Sequence, residues 1–139
     1  MSATFLIDKS AFARRRTRPE VGAVIDSMVT SGQVATCGIV DLEVLYSARD
    51  PSSYADLATA MRAWPRVPLT EAVVDRALAV QGTLAKRSQH RGAKLPDLLI
   101  AACAESAGLT VLHYDADFDL IAEVTGQPMR WVVPRGSVA

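Results

Sequence analysis

The sequence predicts a three-layer α/β/α fold in which a five-stranded, mainly parallel sheet lies between helices, with residues 1–139 forming one domain. Three observations lead there. Short apolar runs rich in β-branched residues alternate with segments of helical period, and those segments are long enough to cross over between parallel neighbours. The chain has 139 residues, 50% of them hydrophobic, which suffices for one core and is too little for two.

The first run, Thr4-Phe5-Leu6-Ile7, stops at Asp8 and reads as a strand. Val21, Val24, Ile25, Met28 and Val29 then fall at i, i+3, i+4, i+7 and i+8, the spacing of an amphipathic helix. Gln33-Val34-Ala35-Thr36-Cys37 is the second strand. The helix after it places Ile39, Leu42, Glu43 and Tyr46 on one stripe, with Asp41 as a helix-start residue pointing elsewhere. Tyr54, Leu57, Ala58 and Met61 repeat the helical period, and Arg66-Val67-Pro68-Leu69 is the third strand. Thr70 caps the next helix, with Glu71 in its first turn, Val74, Ala77, Leu78 and Leu84 along it, and Lys86 and Arg87 near its end, where cations suit the macrodipole. The segment Leu98-Leu99-Ile100-Ala101-Ala102-Cys103-Ala104 is apolar almost all round, so its helix belongs in the middle of the molecule. Leu109-Thr110-Val111-Leu112-His113 and Met129-Arg130-Trp131-Val132-Val133 complete the sheet. The apolar faces of residues 21–29 and 54–64 are expected to pack into the core rather than to serve a partner.

Composition excludes several classes of function. Fifteen Lys+Arg balance 15 Asp+Glu, so the chain carries neither a uniformly basic coat nor an acidic tail, and any electrostatic function must come from local clustering. No apolar run reaches the roughly 18 residues of a membrane span. Met1-Ser2-Ala3-Thr4 lacks the charged start and apolar stretch of a secretory signal, so a soluble, cytoplasmic protein without a membrane partner is expected. Cys37 and Cys103 have no paired spacing and no His cluster beside them; they read as buried free thiols.

In a sheet of this kind the working crevice lies beyond the carboxyl ends of the strands, at a topological switch point. Asp8 directly follows the first strand, and Asp115 and Asp117 directly follow the fourth. Asp97 opens the apolar central helix, and Glu43 lies one turn inside the helix after the second strand. Asp97 and Asp115 also suit N-cap positions and Asp8 a turn leading into a helix, yet a capping acid can still present its second oxygen to a ligand. Capping leaves the convergence of these acids on one edge unexplained. Clustered carboxylates raise one another's pKa unless a cation neutralises them, and an oxygen-only site suits one or two Mg²⁺ or Mn²⁺ ions better than zinc.

Two basic stretches adjoin these acids. Lys9, Arg14, Arg15, Arg16 and Arg18 follow Asp8; Lys86, Arg87, Arg91 and Lys94 precede Asp97. Solvated helix ends would explain either stretch alone. Flanking an acidic, metal-loaded pocket, they suit the phosphates of a phosphodiester substrate, with Arg14, Arg15, Arg16, Arg18, Lys86, Arg87, Arg91 and Lys94 as candidate contacts.

Leu6-Ile7-Asp8-Lys9-Ser10, Asp41-Leu42-Glu43-Val44-Leu45-Tyr46-Ser47-Ala48, Pro96-Asp97-Leu98-Leu99-Ile100-Ala101-Ala102 and His113-Tyr114-Asp115-Ala116-Asp117-Phe118 together resemble the four signature stretches of PIN-domain ribonucleases, in particular the VapC toxins of bacterial toxin–antitoxin pairs. The match spans almost the whole chain, in the family's order. The resemblance implies a Mg²⁺- or Mn²⁺-dependent endoribonuclease with catalytic acids at Asp8, Glu43, Asp97 and Asp115, Asp117 as a further metal ligand, and Ser10 lining the pocket. Lys9 and Tyr114 depart from the family's usual residues without removing a ligand. It further implies a cognate VapB-like antitoxin and a homodimer. A cationic side chain from that antitoxin could mimic metal charge among the carboxylates. The expected chemistry is hydrolysis by water, leaving a 5′-phosphate and a 3′-hydroxyl, because attack by a 2′-hydroxyl normally relies on His acid–base chemistry and the sequence offers only His90 and His113, the latter within a predicted strand. The competing readings are a receiver-type phosphoacceptor domain, disfavoured because the last strand ends Val132-Val133-Pro134-Arg135 without the Lys that chemistry requires, and a catalytically silent PIN-like RNA-binding module, disfavoured because every acid is present.

Overall fold

The computed structural model describes residues 3–139. Met1 and Ser2, the start of the stretch read as lacking a signal sequence, lie outside the described residues. In chain order the elements are β1 (Phe5–Ile7), α1 (Lys9–Phe12), α2 (Pro19–Thr30), β2 (Val34–Cys37), α3 (Gly38–Tyr46), α4 (Pro51–Arg62), β3 (Arg66–Val67), α5 (Glu71–Lys86), α6 (Leu95–Ala107), β4 (Thr110–His113), α7 (Asp117–Thr125) and β5 (Met129–Trp131). The strands are ordered β3-β2-β1-β4-β5 and every pairing is parallel, which makes the sheet fully rather than mainly parallel.

This order places the site. The chain steps outward from β1 to β2 to β3, then returns to the other side of β1 with β4, so the switch point falls between β1 and β4. Right-handed crossovers put the helices of the two directions on opposite faces. Accordingly α3 packs against both α1 and α4, and α5, α6 and α7 pack against one another, while α3 also touches α6. β1 is buried along its length, the signature of a central parallel strand covered on both faces. Phe118, Leu6, Ile7, Leu112 and Ile121 are among the largest fully buried side chains. Each contributes about 1.5–3 kcal/mol by leaving water.

Helix ends follow local chemistry. Thr70 Oγ1 accepts the Val73 N–H at 3.3 Å, capping α5 as the sequence indicates. Gly108 (φ 67°) ends α6 in the left-handed region and turns the chain into β4, a conformation glycine adopts without strain. The expected strand at 66–69 stops at Val67, since Pro68 has no N–H for the ladder. β5 stops at Trp131, short of the expected Val133, although the Val132 N–H still reaches the His113 carbonyl at 2.8 Å.

Three sequence expectations about faces and caps need correction. On α3 the buried positions are Val40 and Val44, while Leu42 and Tyr46 are 69% and 89% exposed, so the stripe containing Glu43 meets the core only through Ile39. On α5 Leu78 is exposed and Val73 and Val80 are buried in its place. The N-cap of α6 is Lys94 rather than Asp97, and that of α7 is Ala116, with Asp115 Oδ1 accepting the Asp117 N–H at 2.9 Å. The expected core use of residues 21–29 holds, with Val21, Ile25 and Met28 buried; of residues 54–64 it holds only in part, since Met61 is buried and Trp64 packs edge-on against Phe12 while Tyr54 is 49% exposed. Cys37 and Cys103 are buried free thiols.

Candidate active site

Two backbone-anchored loops meet at the switch point. The Asp8 N–H donates to the Leu112 carbonyl at 2.9 Å, and the Tyr114 N–H donates to Ser10 Oγ at 2.8 Å, stitching the end of β1 to the end of β4. Asp8 is the N-cap of α1; its Oδ2 accepts the Ser10 N–H at 2.9 Å, which leaves Oδ1 to face elsewhere. α6 precedes β4 and so begins at the same edge, delivering Asp97 from its first turn. α3 leaves the edge after β2 and brings Glu43 alongside.

The result is an acidic cavity of about 260 Å³ lined by Asp8, Glu43, Asp97 and Asp115, together with Lys9, Ser10, Arg14, Lys94 and Tyr114. Two sets of carboxylates among the described residues bring ligand oxygens within 4.8 Å of one another: Asp8, Glu43 and Asp97, and Asp97, Asp115 and Asp117. Asp8 and Asp97 are each only 3% exposed, and Asp8 Oδ1 and Asp97 Oδ2 are buried without a hydrogen-bond partner. Buried carboxylates gathered this closely, with oxygens that accept no hydrogen bond, fit a hard divalent cation. A separate groove of about 180 Å³ between α5 and α6 is lined by Val74, Ala77, Leu78, Leu95, Leu98 and Leu99 and has no titratable group among these residues.

Electrostatics divides the cluster. Burial, reinforced by the neighbouring charge of Asp8, pushes the Asp97 carboxyl up to about 8. Burial also raises Asp8, against the opposing hydrogen bonds from Ser10, and burial with the Asp8 charge raises Glu43. Asp117 moves the other way. Burial would raise it, but Lys94 donates to its Oδ2 from Nζ at 2.7 Å and from the backbone N–H at 3.1 Å, and these bonds hold it below the ordinary value. Lys94 Nζ also donates to Asp115 Oδ2 at 2.9 Å and lies 3.4 Å from Asp97 Oδ2, where its alignment is too poor for a hydrogen bond. Desolvation works against this ammonium, yet the bonds to Asp117 and Asp115 raise its pKa overall.

All the acids expected at the site come together: Asp8, Glu43, Asp97, Asp115 and Asp117. Asp41, expected elsewhere, pairs with Thr36 Oγ1 and Arg66. The basic candidates scatter. Arg14 and Lys94 line the cavity, whereas Arg15 lies over the Phe12 ring, Arg87 pairs with Glu123 at 3.1 Å, Lys86, Arg91 and Arg16 are exposed, and Arg18 is half-buried. Tyr114 was noted in the sequence only as a departure. In the structure it lines the cavity, carries the Arg14 guanidinium 4.6 Å above its ring, and exchanges hydrogen bonds with Val138. No local signal marks that stacking, because the partners lie on separate loops. His113 is fully buried with Nδ1 accepting the Asp115 N–H at 3.1 Å, and burial lowers its pKa to about 4.

A parallel sheet covered on both faces, with a carboxylate pocket at its switch point fit for a divalent cation, defines an α/β domain with a candidate metal centre. The chain belongs to the PIN-domain family, whose family model matches residues 5–124. It is 49% identical over 138 residues to Ribonuclease VapC51 of Mycobacterium tuberculosis, covering 99% of both chains, and 40% identical over 136 residues to Ribonuclease VapC18 of the same organism, covering 96% of this chain and 98% of that one. Among solved structures, the DNA-bound VapBC complex of Salmonella typhimurium matches its fold with a TM-score of 0.75 at 14% identity, over 94% of this chain and 99% of that one. A toxin–antitoxin complex from Klebsiella pneumoniae matches with a TM-score of 0.72 at 20% identity, over 95% and 98%. Among the described residues no helix is long and apolar enough to cross a membrane.

Proposed function

We propose that residues 1–139 act as a single PIN-like endoribonuclease toxin of the VapC type, dependent on Mg²⁺ or Mn²⁺ and neutralised by a VapB-like antitoxin in the cytoplasm, as a homodimer. The observation that carries this reading is the pair of buried carboxylate oxygens without a hydrogen bond on Asp8 and Asp97 beside Glu43, in a chain 49% identical over nearly its full length to a protein named as a ribonuclease. Membership of the PIN family sets aside the receiver-type alternative, and the convergence of every acid argues against a silent module.

Asp8, Glu43 and Asp97 are the residues to hold the ion, with Asp115 at the pocket's other wall. When bound, a divalent ion there lowers the pKa of coordinated water toward neutrality and offsets charge on the scissile phosphate. Ser10 supports the acids by ordering the Asp8 carboxylate through its N–H and the β4 loop through its hydroxyl. Arg14, held over Tyr114 at the cavity wall, offers a guanidinium to a flanking phosphate. His113 takes no part as an acid: it is neutral near pH 7 and sealed from the cavity, and its ring accepts the Asp115 N–H to fix that loop. Cleavage therefore leaves a 5′-phosphate and a 3′-hydroxyl. The test is end-mapped cleavage of total RNA with the wild type, with EDTA added, and with Asp97→Ala. Discrete cuts bearing 5′-phosphates, abolished by EDTA and by the substitution, are expected; cuts that survive both overturn the reading.

A further inference from the structure

The pocket contains more carboxylates than one ion needs, and the two sets are balanced differently. The Asp8, Glu43 and Asp97 set holds Asp8 Oδ1, a buried oxygen with neither a hydrogen-bond donor nor a cation of the chain beside it. The Asp97, Asp115 and Asp117 set already surrounds a cation, the Lys94 ammonium, at 3.4, 2.9 and 2.7 Å. We propose that Lys94 Nζ fills the second cation position of this pocket, so that the chain binds a single divalent ion and Asp117 serves as the anchor of Lys94 rather than as a metal ligand.

The geometry argues for a built device rather than a passing surface ion pair. An exposed lysine that meets one carboxylate gains little and is free to swing away. Lys94, though its side chain is 61% exposed, meets three acids, from α6, from α7 and from the turn between β4 and α7, and its own backbone N–H binds the same Asp117 oxygen as its ammonium does. Backbone and side chain of one residue thus hold Asp117 from two directions, at the N-cap of a 13-residue helix whose first-turn amides also favour negative charge. Two of the three ammonium hydrogens are committed to Asp115 and Asp117, leaving the third for Asp97 or a phosphate oxygen. A hard divalent ion needs carboxylate oxygens at about 2.0–2.1 Å for Mg²⁺, and it cannot draw on Asp115 and Asp117 while the ammonium occupies the space between them. The lysine is therefore a positioning residue: it orders the acids of one wall and supplies a fixed positive charge beside the ion held by the other.

The inference rests on the proposed metal site, and counting bound ions separates the two. Mn²⁺ binding to the purified chain is measured by the loss of the free-ion paramagnetic resonance signal, for wild type, Lys94→Met, Lys94→Ala, Lys94→Arg and Asp8→Asn, with a thermal melt confirming that each is folded. The wild type is expected to bind one Mn²⁺ per chain, Lys94→Met and Lys94→Ala two, and Lys94→Arg one, since a guanidinium keeps the charge in place. If the neutral variants bind the same number as the wild type, the role assigned to Lys94 is wrong, while the metal reading stands as long as Asp8→Asn loses an ion. A wild type that binds none overturns the metal reading, and the difference between wild type and neutral variants still decides the role of Lys94.

Discussion

Asp97 belongs to both walls of the acidic pocket, but the walls themselves contrast. Toward Asp8 and Glu43 it meets another buried acid with no donor between them, and its carboxyl is pushed up to about 8. Toward Asp115 and Asp117 the same residue faces an ammonium, and there Asp117 is held below its ordinary value. Carboxylates a few ångströms apart therefore behave oppositely according to whether the chain itself brings a cation to them. One wall is unfinished without a ligand from outside; the other is complete as folded.

The largest expected effect comes from disabling the unfinished wall. Asp8→Ala should lower Mg²⁺-dependent RNA cleavage by about 1,000-fold or more while leaving the circular dichroism spectrum and the thermal melt near wild type. Substantial Mg²⁺-dependent activity in that variant would refute the contrast.

Next in size is a stability effect with a definite sign. Asp97 has a folded pKa near 8, well above its ordinary value of 3.8, so its protonated form stabilises the fold. That contribution is complete below about pH 4 and is lost as the pH rises through 8. Metal-free Asp97→Asn, which stays neutral, should therefore melt about 4–8 °C above wild type at pH 8, equivalent to ~2 kcal/mol, with the gap closing toward pH 4 and shrinking when Mg²⁺ is added to the wild type. A gap that is independent of pH would mean that Asp97 is not the group under strain.

A smaller change is expected in the finished wall. Asp117→Asn keeps a hydrogen-bond acceptor for Lys94 but removes its charge, and should cost about 10- to 100-fold in cleavage, the range of a residue that supports ligands without being one. A loss as large as that of Asp8→Ala would make the two walls equivalent. The smallest effects separate the basic residues. Arg14→Ala, in the cavity, should raise KM several-fold and reduce the salt slope of RNA binding by about one unit. Arg87→Ala removes an exposed pair with Glu123 outside the cavity and should leave cleavage unchanged, with stability altered by less than ~0.5 kcal/mol.

Much of this arrangement was legible in the order of residues. Strand and helix alternation follows from period, and the acids after the first and fourth strands mark the edge where a parallel sheet places its chemistry. Glu43 was found on its helix, but its stripe was read as apolar; Leu42 and Tyr46 are in fact exposed, because the buried face of so short a helix needs only Val40 and Val44. Lys94 was legible as a cation near the third acid, being three residues from Asp97, yet it read as part of a phosphate-binding rim. Arg15 and Arg87 read the same way and instead meet Phe12 and Glu123.

Those last cases mark the boundary. Amino-acid order is enough to establish the alternating fold, the edge of the sheet that carries the acids and the identity of those acids, since periodicity and position at strand ends are properties of short segments. Folding alone settled which charges neutralise one another: Lys94 reaches acids 21 and 23 residues further along, and Asp8 meets Asp97 only across the switch point of the sheet. Coulombic pairing and desolvation depend on distance through space and on what surrounds a group, and neither is written in the neighbours a residue has along the chain.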